Sequence, residues 1–132
     1  VKAFMQGIVD EARSTGYTTT LLGRRRYLPE LSSSNFRDRQ TGERMALNAP
    51  IQGAAADIIK KAMIELDGRL RAGGYRAEML LQVHDELVLE VPGSELDAVT
   101  TLTTEVMESI VDLRVPLTVD VATGTTLADC KS

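Results

Sequence analysis

Met79-Leu80-Leu81-Gln82-Val83 and Leu87-Val88-Leu89-Glu90-Val91 are two apolar, β-rich runs with His84-Asp85-Glu86 between them. That spacing predicts a β-hairpin. Two-residue hairpin turns usually carry Asn-Gly or Asp-Gly, because the geometry needs positive φ. A charged His-Asp-Glu tip between apolar strands is therefore an uncommon choice for folding alone. An aspartate on a tight turn between rigid strands is held in place yet exposed, as a divalent-cation ligand must be. Mg²⁺ takes hard oxygen ligands, usually one or two carboxylates plus substrate phosphates. An aspartate chosen for turn propensity, with its neighbours solvated, accounts for the same residues. Spacing alone leaves both readings open.

On the C-terminal side, Ser94 followed by Asp97 resembles a capping box. It would open a helix along Leu96, Val99, Leu102, Val106, Ile110 and Leu113, which Pro116 breaks. Leu117, Val119 and Val121 then alternate as a last strand. On the N-terminal side, Ile58, Ile59, Ala62, Met63, Leu66 and Leu70 recur at three and four, predicting a helix between Pro50 and Arg71 that Gly73-Gly74 ends. Ser32 to Asn35 is a turn cluster and a helix start. Tyr17–Leu22 and Arg26-Tyr27-Leu28 predict a second hairpin through Gly23, and Pro29 stops its second strand.

Val1, Phe4, Met5, Ile8 and Ala12 show helical spacing from the first residue, up to Thr15-Gly16. With no initiator methionine, this reads as a piece of a longer chain. The order predicts an α+β fold, an antiparallel sheet with a charged-tip hairpin, covered by helices. A Gly-rich phosphate loop and a dinucleotide fingerprint are both missing from the sequence.

At 132 residues, 43% hydrophobic and 26% charged, the chain can bury a core. No apolar run approaches the roughly 20 residues of a membrane span, so no membrane partner is expected. The lone cysteine, Cys130, leaves no internal disulfide and suits the cytoplasm. His84 is the sole histidine, which excludes a multi-histidine zinc centre. Net charge is −4, but residues 24–44 carry six arginines against three acids, whereas residues 78–120 hold ten acids against Arg114 alone. One half could grip phosphate and the other hold cations. From charge alone, two solvated faces are the simpler reading.

Gln82-Val83-His84-Asp85-Glu86-Leu87-Val88-Leu89-Glu90 closely resembles the third polymerase motif of the bacterial DNA polymerase I family, family A. Thr20-Leu21-Leu22-Gly23-Arg24-Arg25-Arg26-Tyr27-Leu28-Pro29 is similar to that family's segment after the fingers. Glu43-Arg44-Met45-Ala46-Leu47-Asn48-Ala49-Pro50-Ile51-Gln52-Gly53, Ala55-Ala56-Asp57-Ile58-Ile59-Lys60 and Val115-Pro116-Leu117 match in the same order. One departure lies after Gly124, where the family usually has an aromatic and this chain has Thr126-Leu127.

The resemblance implies a single fragment, with a post-fingers segment over residues 1–45 and palm over residues 46–132. The parent would be a DNA-directed DNA polymerase of replication or repair, working by two-metal phosphoryl transfer with Mg²⁺. Primer–template DNA, deoxynucleoside triphosphates and the rest of the parent chain would be its partners. Asp85 matches the second metal aspartate and Glu86 an auxiliary acid. His84 matches a residue at the primer terminus. Arg44, Asn48 and Gln52 match a minor-groove row, and Arg24, Arg25 and Arg26 suit backbone phosphate. The first metal aspartate and the fingers helix with its Lys and Tyr would precede Val1, so this piece alone is expected to be inactive. A non-catalytic DNA-binding or structural module built from a palm is the alternative.

Overall fold

In the computed structural model, which describes residues 1–131, the chain divides by its internal contacts into Val1–Asp57 and Ile58–Ser132. In the first unit α1 runs Lys2–Thr15 and ends on Gly16, whose φ of 84° and N–H to the Ala12 carbonyl make a left-handed cap. Of its apolar stripe only Ala12 is buried; Val9 is the other buried residue of α1, and Phe4 stays exposed. β1 (Tyr17–Thr19) and β2 (Arg25–Tyr27) pair antiparallel, with Thr18 opposite Arg26. A 3-10 turn over Pro29–Ser32 follows. Ala12, Leu28, Leu31 and Ala46 form the core of this unit.

α2 runs Phe36–Ala72 without interruption, so the helix begins 14 residues before Pro50 and passes through it. Asn35 starts it, its side-chain oxygen accepting the Arg37 N–H at 2.9 Å. An internal proline removes a backbone bond and costs roughly 3 kcal/mol in a helix. Buried Ala46 and Ala49 on one side, and Ile59, Ala62, Leu66 and Leu70 on the other, hold both flanks helical.

In the second unit β3 (Glu78–Val83) and β4 (Glu86–Glu90) pair antiparallel. Pairing shifts from Met79↔Leu89 to Leu81↔Val88, leaving Leu80 as an extra residue in a bulge. A 3-10 turn, Gly93–Glu95, leads into α3, Leu96–Ser109. Leu66, Leu70, Ala77, Val99 and Val106 make the core, with Met79, Leu87 and Leu89 packed on it. Burying a side chain such as Leu66, which is fully enclosed, contributes about 1.5–3 kcal/mol.

Three expectations fail here. Ser94 does not cap α3; no side chain does, and Glu95 reaches back to backbone N–H groups before β3 instead. The helix stops at Ser109, short of Leu113. Leu117–Val121 is not a strand: its alternation is present, but it finds no ladder partner among the described residues, and the Val119 N–H is taken by Glu108 at 3.0 Å. A short helix, α4 (Leu127–Cys130), closes the chain with a Thr126–Asp129 capping box.

Candidate functional site

The β3–β4 tip is tighter than the sequence suggests. Val83 pairs with Glu86, so only His84 and Asp85 form the turn, and Glu86 is the first strand residue. His84 has φ 55°, the sign a type II′ turn needs at its first central residue, where glycine is usual. The Gln82 amide donates to the His84 carbonyl and steadies this conformation. His84, Asp85 and Glu86 are all exposed, and none makes a side-chain hydrogen bond or ion pair among the described residues. Their donors and oxygens are therefore available to a ligand.

As a metal site the tip is partial. Carboxylate oxygens suit a hard divalent cation. Yet no group of three or more His, Cys, Asp or Glu side chains among the described residues could hold an ion. Asp85 and Glu86 fit as contributors to a site, not as a whole one.

The second constellation lies in the first unit. The turn from Thr20 to Arg24 closes on itself through the Thr20 N–H to the Arg24 carbonyl at 2.8 Å and the Gly23 N–H to the Thr20 carbonyl at 2.9 Å. Gly23 takes φ 88°, which the turn requires. The three arginines that follow are held differently. Arg24 is ion-paired to Asp57 at 2.9 Å, and Arg25 stacks over the Tyr17 ring at 4.4 Å. Arg26 is exposed and has no ion pair among the described residues.

Arg44, Asn48 and Gln52 are exposed on one face of α2, as their spacing of four predicts. None of the three makes a side-chain hydrogen bond among the described residues. Gln52 lines a recess of about 210 Å³ with Thr18, Thr20 and Arg24–Arg26. Arg44 borders another with Arg37, Gln40 and Thr41. The fold thus gathers Gln52 with the three arginines, sets Asn48 and Arg44 along the same helix, and puts His84, Asp85 and Glu86 on one tip.

Sequence reasoning assigned no role to Asp57, Thr20 or Gly53. The signal was there: Ala46, Ala49, Gly53 and Asp57 fall at helical spacing, and an acid ending a stripe of small residues invites a search for its partner.

The chain matches the family described as DNA polymerase family A over residues 1–129. This chain belongs to that family. Among curated family A relatives it is 57% identical to DNA polymerase I of Bacillus caldotenax and 53% identical to that of Bacillus subtilis strain 168. Each match covers 99% of this chain and 15% of the relative, so the chain spans a small part of the family A proteins it resembles. A solved family A structure, the POL domain of Pol1 from M. smegmatis in complex with DNA primer-template and dNTP, superposes with a TM-score of 0.95 at 50% identity. That match covers 98% of this chain and 23% of the solved one.

Proposed function

We propose that this chain is the palm-bearing C-terminal part of a cytoplasmic DNA-directed DNA polymerase. In this reading residues 1–45 form the segment after the fingers, and residues 46–132 form the palm. The observation that carries it is the superposition over 98% of the chain on a polymerase domain described with DNA primer-template and dNTP.

Asp85 would supply a carboxylate oxygen to a catalytic divalent ion, with Glu86 as auxiliary. Two Mg²⁺ ions, when bound, would stabilise the attacking and leaving oxygens of nucleotidyl transfer. Ligands beyond Asp85 and Glu86 would come from the rest of the parent, nucleotide phosphates and water. His84, exposed on its left-handed turn, supports the primer terminus. Arg44, Asn48 and Gln52 present donors to purine N3 and pyrimidine O2, which every correct base pair offers in the minor groove. That arrangement tests pair shape without reading sequence. Arg24–Arg26 take backbone phosphate, where counterion release drives binding.

The test is primer extension by the full-length parent with Mg²⁺ and four deoxynucleotides. Asp85→Asn should lower extension by about a thousandfold while primer–template binding persists. Unchanged extension would remove Asp85 from the chemistry. The 132-residue chain by itself should not extend a primer.

A further inference from the structure

We infer that Asp57 is a positioning residue that clamps the arginine turn to α2, so that Arg24 and Gln52 face the same recess as one DNA-contacting surface. The inference rests on the proposed DNA-binding function and assigns a residue to it.

Asp57 is 9% exposed, and a buried carboxylate is costly unless it is paired and hydrogen-bonded. One of its oxygens accepts the Arg24 Nε–H at 2.9 Å and the other accepts the Thr20 hydroxyl. The same Thr20 oxygen accepts the Arg24 backbone N–H at 3.1 Å. Residues 33 and 37 positions away in sequence are thus fastened to one carboxylate. Gly53 lets the turn come this close, since a Cβ there would sit 2.4 Å from the Thr20 methyl.

The way Arg24 is held decides the role. Guanidinium carries five donors in a rigid fork. Asp57 takes the inner Nε–H, while the Arg24 side chain remains 54% exposed beside Gln52. Of its outer nitrogens, Nη2 donates to the Gly53 carbonyl at 3.5 Å, and the remaining N–H groups sit at the exposed end of a fixed base. A pre-oriented arginine loses less side-chain freedom when it meets phosphate than a free one. An ion pair with one partner this exposed adds little net stability, so its contribution here is geometric.

Two physical accounts of Asp57 predict opposite signs. Were it only a nearby negative charge, removing it would strengthen binding to a polyanion. As a clamp, its removal should weaken binding. The experiment measures primer–template affinity and steady-state extension of the full-length polymerase carrying Asp57→Asn. The expected result is a Kd about five- to tenfold higher, with kcat at saturating DNA unchanged. Binding equal to or tighter than the parent's would overturn the clamp. In an Arg24→Gln background, Asp57→Asn should add nothing further; a full additional loss would also overturn it. If Asp57→Asn does not fold, Thr20→Val decides. It alters no charge, and about a two- to threefold weakening is expected, with unchanged affinity counting against the inference. Failure of the unaltered parent to bind primer–template at low salt would instead sink the functional reading itself.

Discussion

The Glu95 carboxylate accepts the Ala77 backbone N–H at 3.0 Å, tying the 3-10 turn before α3 to the residue that precedes β3. It also accepts the Arg76 N–H at 2.9 Å. Ala77 is buried, so its N–H cannot turn to water if Glu95 is lost. Glu95→Ala should destabilise this unit by about 1–2 kcal/mol, with Glu95→Gln losing less. Faster amide hydrogen exchange at Ala77 would report it; unchanged exchange would deny the contact any energetic role.

The approach of Gly53 to Thr20 gives a second expectation. Gly53→Ala should cost about 1–3 kcal/mol, because the new methyl meets the Thr20 Cγ2 inside contact distance. Thr20→Ser removes that methyl and keeps the hydroxyl bonded to Asp57. The double variant should therefore recover most of the loss in thermal melting. Simple additivity of the two changes would show that the clash is elsewhere.

His84 carries a left-handed backbone without being glycine. Such a conformation costs a non-glycine residue of order 1 kcal/mol. His84→Gly should relieve it and slow hydrogen exchange of the hairpin amides, while primer extension by the full-length polymerase falls. Faster exchange instead would mean that the imidazole itself steadies the turn.

Hydrogen bonds from Thr125, then Thr126, hold the Asp129 carboxyl below the usual aspartate range. The folded state thus favours the ionised form. The cap's contribution is complete above the ordinary aspartate pKa of about 3.9 and disappears as pH falls through the lowered value. An NMR titration of the Asp129 carboxyl should show a midpoint below the ordinary one. Asp129→Asn should remove the acid sensitivity of α4.

The parts legible in sequence were those whose signal is local. The β3–β4 hairpin announced itself through β-rich runs flanking a short charged gap, and the exposed tip followed from the same stretch. The α2 face bearing Arg44, Asn48 and Gln52 followed from spacing, although Pro50 argued for a later start that packing on both flanks overrode. Leu117–Val121 has a strand's alternation, but a strand also needs a ladder partner, which periodicity does not reveal. The Ser94 cap failed because Glu95, one residue later, is committed to backbone donors near Ala77. Asp57 stayed hidden because its partners lie more than thirty residues away. Roles for the tip and the minor-groove row came from family resemblance, not from spacing.

The two-residue turn at His84-Asp85 fixes more than the place of a carboxylate. Side chains alternate faces along a strand, so a residue added to the turn and not absorbed as a bulge would shift β4 by half a period. Leu87 and Leu89 would then leave the core and Val88 would enter it. The tip can therefore exchange one side chain for another, but a change in its length must be absorbed as a bulge, as Leu80 is in β3. An insertion or deletion at this point should cost the hairpin stability even where both acids are kept.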